Sequence, residues 1–274
     1  MKKIIFVAFA LCAIVSFGQE KIKRAKDNLK DEPLENTEYI PMQVNSVSST
    51  RSKSYDDDDE MGIGTMLAIG LAWFPLVESP LTIDKEMRNA ELQPYPYFQK
   101  SKGDYSYTQD RDFILRTHVS DYFLKSTYVK ANQLQVNLRI GDRFGFSPSH
   151  THYWGKENGK AERLDLFYAT IDYYRIRTQI FTLNWGVGVA YLGNEVKKGG
   201  LALNFGAGFY MKPISVKINY KAAFLGGDLN DNADQFEINP IFHFKQYEVG
   251  AKYFHHNIGG IKFNGMGFGA GIYF

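Results

Sequence analysis

The chain has 274 residues, with 32 Lys and Arg against 30 Asp and Glu, so it lacks the net basic charge expected of a nucleic-acid-binding protein. Aromatic residues make up 15% of the chain, yet no segment offers the ~20 uninterrupted apolar residues of a membrane-spanning helix. The one cysteine, Cys12, lies in a predicted signal peptide, which excludes disulfides, thiolate metal sites and cysteine catalysis from the mature protein.

Residues 1–18 have the layout of a secretory signal peptide. Two lysines follow the initial methionine, and an apolar stretch runs from Ile4 to Phe17. Ser16 and Gly18 supply the small residues that a signal peptidase reads. We therefore predict Sec export into a Gram-negative envelope, with cleavage before Gln19.

Three segments precede the main body of the sequence. Residues 19–60 are polar and poor in aromatics, which predicts a flexible periplasmic tail. Residues 61–77 alternate large and small apolar side chains and fit either a strand or a short helix. The stretch 78–111, which includes the run Pro94–Phe98, is interpreted as a long loop or plug-like segment.

From residue 112 to Phe274, apolar and polar residues alternate with a period of two, which is typical of β-strands. The apolar rows carry almost no charge, and the last row ends at the final residue, where a soluble sheet would expose an apolar edge. A membrane barrel has no edge, because its last strand pairs with its first. We therefore predict an all-β fold, an antiparallel transmembrane β-barrel of about ten strands, with roughly 8–12 compatible with the pattern.

The predicted strands and links set the orientation. The strands cover residues 112–120, 128–140, 143–152, 162–174, 176–190, 200–211, 214–225, 235–244, 247–256 and 261–274. Longer polar links are predicted near 153–161, 193–200, 226–235 and 255–260. Because outer-membrane barrels have short periplasmic turns and longer outer loops, we expect a periplasmic C-terminus on the same side as the N-terminal tail.

The inward-facing rows carry charges of both signs. They contain Lys217, Lys221, Glu237, His243, Glu248 and Lys252. A barrel of about ten strands is filled by side chains, so we expect these groups to pair in a structural polar network. Turn positions predict that His243 lies opposite Glu248 and also opposite Lys217. The alternative is an ion or proton path through His243, in a narrow solute channel.

One constellation suggests catalysis. A connection centred on Lys125 places His118 opposite Asn132 and beside Ser120, the roles of base, orienting group and nucleophile. Convergence requires a β-bulge, because Asn132 shares strand parity with the apolar Leu134. The arrangement resembles the His-x-Ser and downstream Asn of the outer-membrane phospholipase A family and, more loosely, the lipid A deacylases. That resemblance implies a lipid-modifying serine hydrolase as an alternative function.

A second resemblance covers most of the mature chain. The chain resembles the uncharacterised, Bacteroidetes-type outer-membrane β-barrel proteins of gliding and gut-type bacteria. Three segments carry the resemblance: the end of the signal peptide at 16–19, the segment Pro94–Tyr97 and the C-terminal segment Gly269–Phe274. The C-terminal segment, with Gly269, Ile272 and Phe274, also resembles the terminal signal that the barrel-assembly machinery reads. The resemblance implies a class and a location, with no assigned activity.

These observations predict a structural, interaction or accessory role in the outer membrane. The expected partners are outer-membrane lipid, the barrel-assembly machinery, and a periplasmic or outer-membrane protein. No cofactor is expected. His150 with His152, and His255 with His256, are the histidine groupings considered as metal ligands, but neither has an assured third ligand, so no metal site is predicted.

Overall fold

A computed structural model of the protein describes residues 21–30, 87, 89–107, 114–127, 129–157, 160–226 and 232–274. Within these ranges, ten antiparallel strands close into one barrel, which confirms the predicted fold class. The barrel strands are β3 (Leu115–Ser126), β4 (Lys130–Ile140), β5 (Phe144–Glu157), β6 (Lys160–Arg177), β7 (Phe181–Leu192), β8 (Lys198–Met211), β9 (Ile214–Phe224), β10 (Asn232–Phe244), β11 (Tyr247–Ile258) and β12 (Ile261–Tyr273). No helix in the described ranges is long and apolar enough to cross a membrane.

The barrel closes through its last strand. β12 pairs antiparallel with β3, with Tyr273 opposite His118 and Gly271 opposite Ser120. The backbone N–H of Phe274 extends this seam by donating to the Thr117 carbonyl at 2.8 Å. The other eight strands each pair with both sequence neighbours, so the hydrogen-bonded ring has no free edge.

Side chains alternate between the lumen and the outer face. On β12, Met266 and Phe268 point outward and are 72% and 71% exposed, whereas Phe263 and Tyr273 are buried in the lumen. The outer face carries large apolar side chains around the whole ring, among them Leu115, Leu134, Ile171, Val187, Val189, Leu201, Phe209, Phe242 and Val249. This barrel therefore carries its large apolar side chains on the outside, which is the reverse of a soluble barrel.

The two ends of the barrel differ. Short turns at 141–143, 178–180, 212–213 and 245–246 lie at the same end as Leu115 and Phe274, which we call the turn end. The connections at the other end, the loop end, are 127–129, 158–159, 193–197, 225–231 and 259–260. The long links expected near 153–161 and 255–260 are not found, because β5, β6 and β11 continue through those residues.

Residues 21–29 form a helix inside the loop end. Its Ile22, Ala25 and Leu29 form one apolar stripe, are fully buried and pack in a cluster of inward residues from the barrel. Lys26 donates to Glu162 at 2.6 Å at the rim of this pocket.

This helix and the residue after it are the only part of the predicted tail over 19–60 that lies within the described residues. The helix lies at the opposite end of the barrel from Phe274, because its three-residue apolar stripe packs in an apolar pocket there. The predicted signal peptide, the rest of the tail and the segment 61–77 lie outside the described residues.

Residues 89–107, which we call the hairpin plug, cover the turn end. They contain β1 (Glu91–Leu92), a 3-10 turn (Phe98–Lys100) and β2 (Tyr105–Ser106), which pairs with β1. The Tyr97 hydroxyl donates to the Ile214 carbonyl at 2.5 Å, and the Tyr105 hydroxyl donates to the Asp142 carbonyl at 2.7 Å. This part of the predicted plug-like segment is therefore tied to two of the tight turns.

Candidate functional sites in the lumen and on the outer face

Glu237 is the centre of a buried charge cluster halfway along the lumen. Its side chain is 1% exposed, and the Lys252 ammonium donates to its Oε2 at 2.9 Å. Nε2 of His256 lies 3.2 Å from Oε1, and the Gln133 amide donates to the same oxygen at 2.5 Å. The ammonium of Lys252 also lies 4.2 Å from the ring centre of Tyr122. Every strong contact of this carboxylate is therefore with a donor supplied by another strand.

Glu248 organises a second cluster nearer the turn end. The Tyr273 hydroxyl donates to its Oε2 at 2.9 Å, and His118 Nε2 lies 2.9 Å from its Oε1. The Lys217 ammonium and His243 Nδ1 lie 3.7 and 3.8 Å from Oε2. One carboxylate thus meets one ammonium, two imidazoles and a phenol.

The register accounts for this cluster. His243 pairs directly with Glu248, as the turn position predicts. Lys217, however, pairs with Asn239 and not with His243. The reason is that β10 begins at Asn232, earlier than expected, so the preceding loop is shorter.

Lys221 is on β9, next to the strand of Glu237, and its ammonium reaches a third polar group on β5, β6 and β8. Its ammonium donates to the Ser149 hydroxyl at 2.6 Å. Nearby, Asp172 accepts hydrogen bonds from Asn204 at 2.8 Å and Thr170 at 3.1 Å. All six of the predicted lumenal residues therefore point inward, but they are divided among separate clusters.

The hairpin plug caps these clusters with its own ion pair. Asp104 receives a two-pronged contact from Arg116, at 2.7 and 3.0 Å. Burial would raise the pKa of the Asp104 carboxyl, but the Arg116 guanidinium outweighs burial and holds that pKa well below its ordinary value. A cavity of about 150 Å³ lies inside the barrel next to the plug, and its lining includes Asp104, Lys217 and Asp172. That volume is enough for several water molecules or one small organic molecule.

The structure does not bring together His118, Ser120 and Asn132. His118 and Ser120 face the lumen and are 9% and 3% exposed. Asn132 pairs with Phe123 and not with His118, and its amide donates to the exposed Asp121 at 2.7 Å on the outer face.

The physical reason is strand parity. The register between β3 and β4 runs without a shift, so no bulge turns Asn132 inward. His118 instead lies beside the Glu248 carboxylate and stacks on the Tyr273 ring at 4.2 Å between centroids. The expected catalytic arrangement therefore has no geometric basis in this fold.

The three residues of the terminal signal have different surroundings. Phe274 points outward and is 69% exposed, and Ile272 shares its face. Gly269 faces the lumen, where an added Cβ would lie 2.1 Å from the Asp121 carbonyl oxygen. The glycine is thus required by the close approach of β12 to β3, independently of any recognition.

The lumenal clusters contain side chains that the sequence analysis did not assign to them. They are Asp104, Arg116, Gln133, His256 and Tyr273. Strand parity assigns Arg116, His256 and Tyr273 to the lumen, which is a signal that was available. No pattern predicts Asp104, because it approaches from the hairpin plug.

No protein-family model and no curated protein matches the chain. Among solved structures, the chain is similar to Ail, the attachment invasion locus protein of Yersinia pestis, at 11% identity. The alignment covers 58% of this chain and 96% of Ail with a TM-score of 0.27.

Proposed function

We propose that this protein is an integral outer-membrane β-barrel with a closed lumen and a structural, interaction or accessory role. The observation that carries the proposal is the inverted polarity of an edgeless barrel. Large apolar side chains ring the outside while Glu237, Lys252 and Glu248 are buried inside. Only a lipid environment makes such an exterior favourable.

A closed lumen favours this role over a narrow channel. The helix at 21–29 packs into the loop end, and the hairpin plug is tied to the turn end. Between them, charges of both signs are paired, so little free charge is left to select or conduct an ion. The role proposed is therefore one of surface and anchorage, with outer-membrane lipid and an envelope protein as partners.

The test is the behaviour of the full chain in membranes. We expect enrichment in the outer-membrane fraction, heat-modifiable migration in gels, and no discrete conductance in planar bilayers. Recovery in the soluble fraction overturns the membrane assignment. Discrete conductance steps that disappear in a boiled sample overturn the closed lumen and favour a channel.

The hydrolase hypothesis is tested separately. Because Ser120 lies inside the lumen and Asn132 outside, we expect Ser120→Ala to leave lipid acylation unchanged in cells expressing the protein. Loss of acyl release in that variant, with normal heat-modifiable migration, would restore the enzyme hypothesis.

A further inference from the structure

Three side chains of metal-ligand type meet on the outer face near the loop end. His150 and His152 are on β5, and Asp165 is on β6. Nε2 of His150 lies 2.9 Å from Asp165 Oδ1, and Nδ1 of His152 lies 2.6 Å from the same oxygen. The three ligand atoms all lie within 4.8 Å of one another.

The strand geometry creates this cluster. His150 and His152 are two residues apart, so their side chains share one face of β5. Asp165 is the direct cross-strand partner of His152. A carboxylate therefore stands between two imidazoles through backbone register, without any special loop.

Neighbouring groups hold the three side chains in place. His150 stacks on the Phe167 ring at 4.2 Å and 7° between planes, and His152 stacks on Trp154 at 5.5 Å and 27°. The Asn194 amide donates to Asp165 Oδ2 at 2.6 Å, which leaves Oδ1 directed at the imidazoles. Such supporting contacts orient the ligands in protein metal sites.

The cluster is reachable from water. Asn194 belongs to the loop between β7 and β8, and the backbone N–H of Gly193 in the same loop donates to the Asp165 carbonyl at 2.8 Å. The His150, His152 and Asp165 side chains are 37%, 32% and 20% exposed. The site therefore lies beside a hydrated rim of the barrel.

We propose that His150, His152 and Asp165 bind a divalent first-row transition-metal ion of the zinc type. Two imidazoles and one carboxylate suit such ions, whereas magnesium and calcium prefer oxygen ligands. Three protein ligands leave a further position open to solvent. This inference rests on side-chain geometry alone and goes beyond the proposed function.

The ligand spacing requires a small adjustment. Zinc bonds of about 2.0–2.2 Å place the ligands of a tetrahedral site roughly 3.3 Å apart, somewhat wider than the present contacts to Asp165 Oδ1. Both imidazole nitrogens must present a lone pair where each now meets the carboxylate. Protons compete for those lone pairs, so binding weakens as the pH falls.

The experiment uses full-length protein without a polyhistidine tag, folded in detergent. Zn²⁺ is titrated in competition with a chromophoric chelator. We expect one ion per chain, at least tenfold weaker binding in His152→Gln and Asp165→Asn, and no specific binding in the double variant His150→Gln/His152→Gln. Asn194→Ala should weaken binding by about 10–100-fold, because the native Asn194 amide orients the Asp165 carboxylate without being a metal ligand itself.

The matched control is His255→Gln. His255 faces outward on β11 at the same end of the barrel but lies outside the cluster, so its loss should leave the Zn²⁺ affinity unchanged. Heat-modifiable migration verifies that each variant is folded. The proposal is overturned if wild-type protein binds no more tightly than the double variant, or if His255→Gln loses as much affinity as His152→Gln.

Discussion

Single buried charges determine much of the energetics of this lumen. The Glu237 carboxylate is buried away from solvent, and contacts with Lys252, Gln133 and His256 offset the cost of its desolvation. A pair of this kind contributes little compared with a well-packed apolar pair, but removing one partner leaves the other uncompensated. The arrangement is therefore sensitive to single changes and tolerant of paired ones.

We expect Lys252→Met to lower the free energy of unfolding by about 3–5 kcal/mol, because it leaves the Glu237 carboxylate buried without its cation. The double variant Lys252→Met/Glu237→Gln should recover a large part of that loss. Chemical denaturation in detergent micelles measures both. Lys262→Met, at an exposed lysine on β12, is the control and should change stability by less than about 0.5 kcal/mol. A double variant no more stable than the single one contradicts this explanation.

Variants of Phe274 and Gly269 distinguish recognition by the assembly machinery from packing within the barrel. Phe274→Ala removes an exposed side chain, so we expect a change of less than about 1 kcal/mol in the purified barrel but a lower yield of assembled protein in cells. Gly269→Ala should instead destabilise the purified barrel by about 1–3 kcal/mol, because its Cβ meets the Asp121 backbone. Denaturation and the folded fraction in membranes are the two measurements. Normal assembly of Phe274→Ala would remove the case for a terminal signal.

At the scale of elements, the barrel is filled by pieces that precede it in sequence. The helix at 21–29 supplies an apolar stripe to the loop end, and the hairpin plug supplies Asp104 to Arg116 at the turn end. Neither piece is a strand of the closed barrel, so each can be released while the ten paired strands stay hydrogen-bonded to one another.

Leu29→Asp should release the helix, because a carboxylate cannot remain in a fully buried apolar site. We expect trypsin to cleave after Lys23 and Arg24 faster than in the wild type, while heat-modifiable migration persists. Asp27→Ala, on the exposed side of the same helix, should leave the cleavage rate unchanged. Equal protection in Leu29→Asp and wild type would show that the stripe does not hold the helix.

The plug should respond to acid through Asp104. Its folded pKa is lowered, so the stabilisation is fully present above the unfolded value of about 3.9 and is lost as the pH falls toward the folded value. We expect Asp104→Asn to speed amide exchange in residues 89–107, with a difference from wild type that is constant above about pH 5 and shrinks in more acidic solution. Hydrogen exchange followed by mass spectrometry measures it. A difference that grows on acidification has the wrong sign and rejects the assignment.

At the scale of the whole molecule, the topology leads to a prediction of which end of the barrel faces the periplasm. By analogy with the general plan of outer-membrane barrels, we infer that the turn end is periplasmic and the loop end is outside. Because Cys12 is the only cysteine and lies in the predicted signal peptide, single introduced cysteines report the sides cleanly. Glu195→Cys should react with an impermeant maleimide on intact cells, and Lys245→Cys only after permeabilisation. The reverse pattern inverts the barrel.

Alternation alone was enough to predict the body of this fold. A period of two over 112–274 predicts strands, and long apolar rows with almost no charge predict a closed membrane barrel, because an open edge of this kind would recruit other chains. The same parity assigns Lys217, Lys221, Glu237, His243, Glu248 and Lys252 to the lumen, and in the structure these six side chains contact lumenal partners. These are local properties of the chain, so they can be deduced from the order of residues.

The tertiary structure decided which side chains become partners, both across paired strands and between segments that are distant in sequence. A shift of a few residues in a loop determines whether Lys217 meets His243 or Asn239, and parity across two strands separates Asn132 from His118. Contacts across strands or between distant segments produce three further features. These are the closure of both barrel ends, the Asp104–Arg116 pair, and the position of Asp165 between two histidines. The sequence by itself determined which face each side chain takes, and only the folded barrel decided which partners meet there, because pairing depends on distances that alternation does not encode.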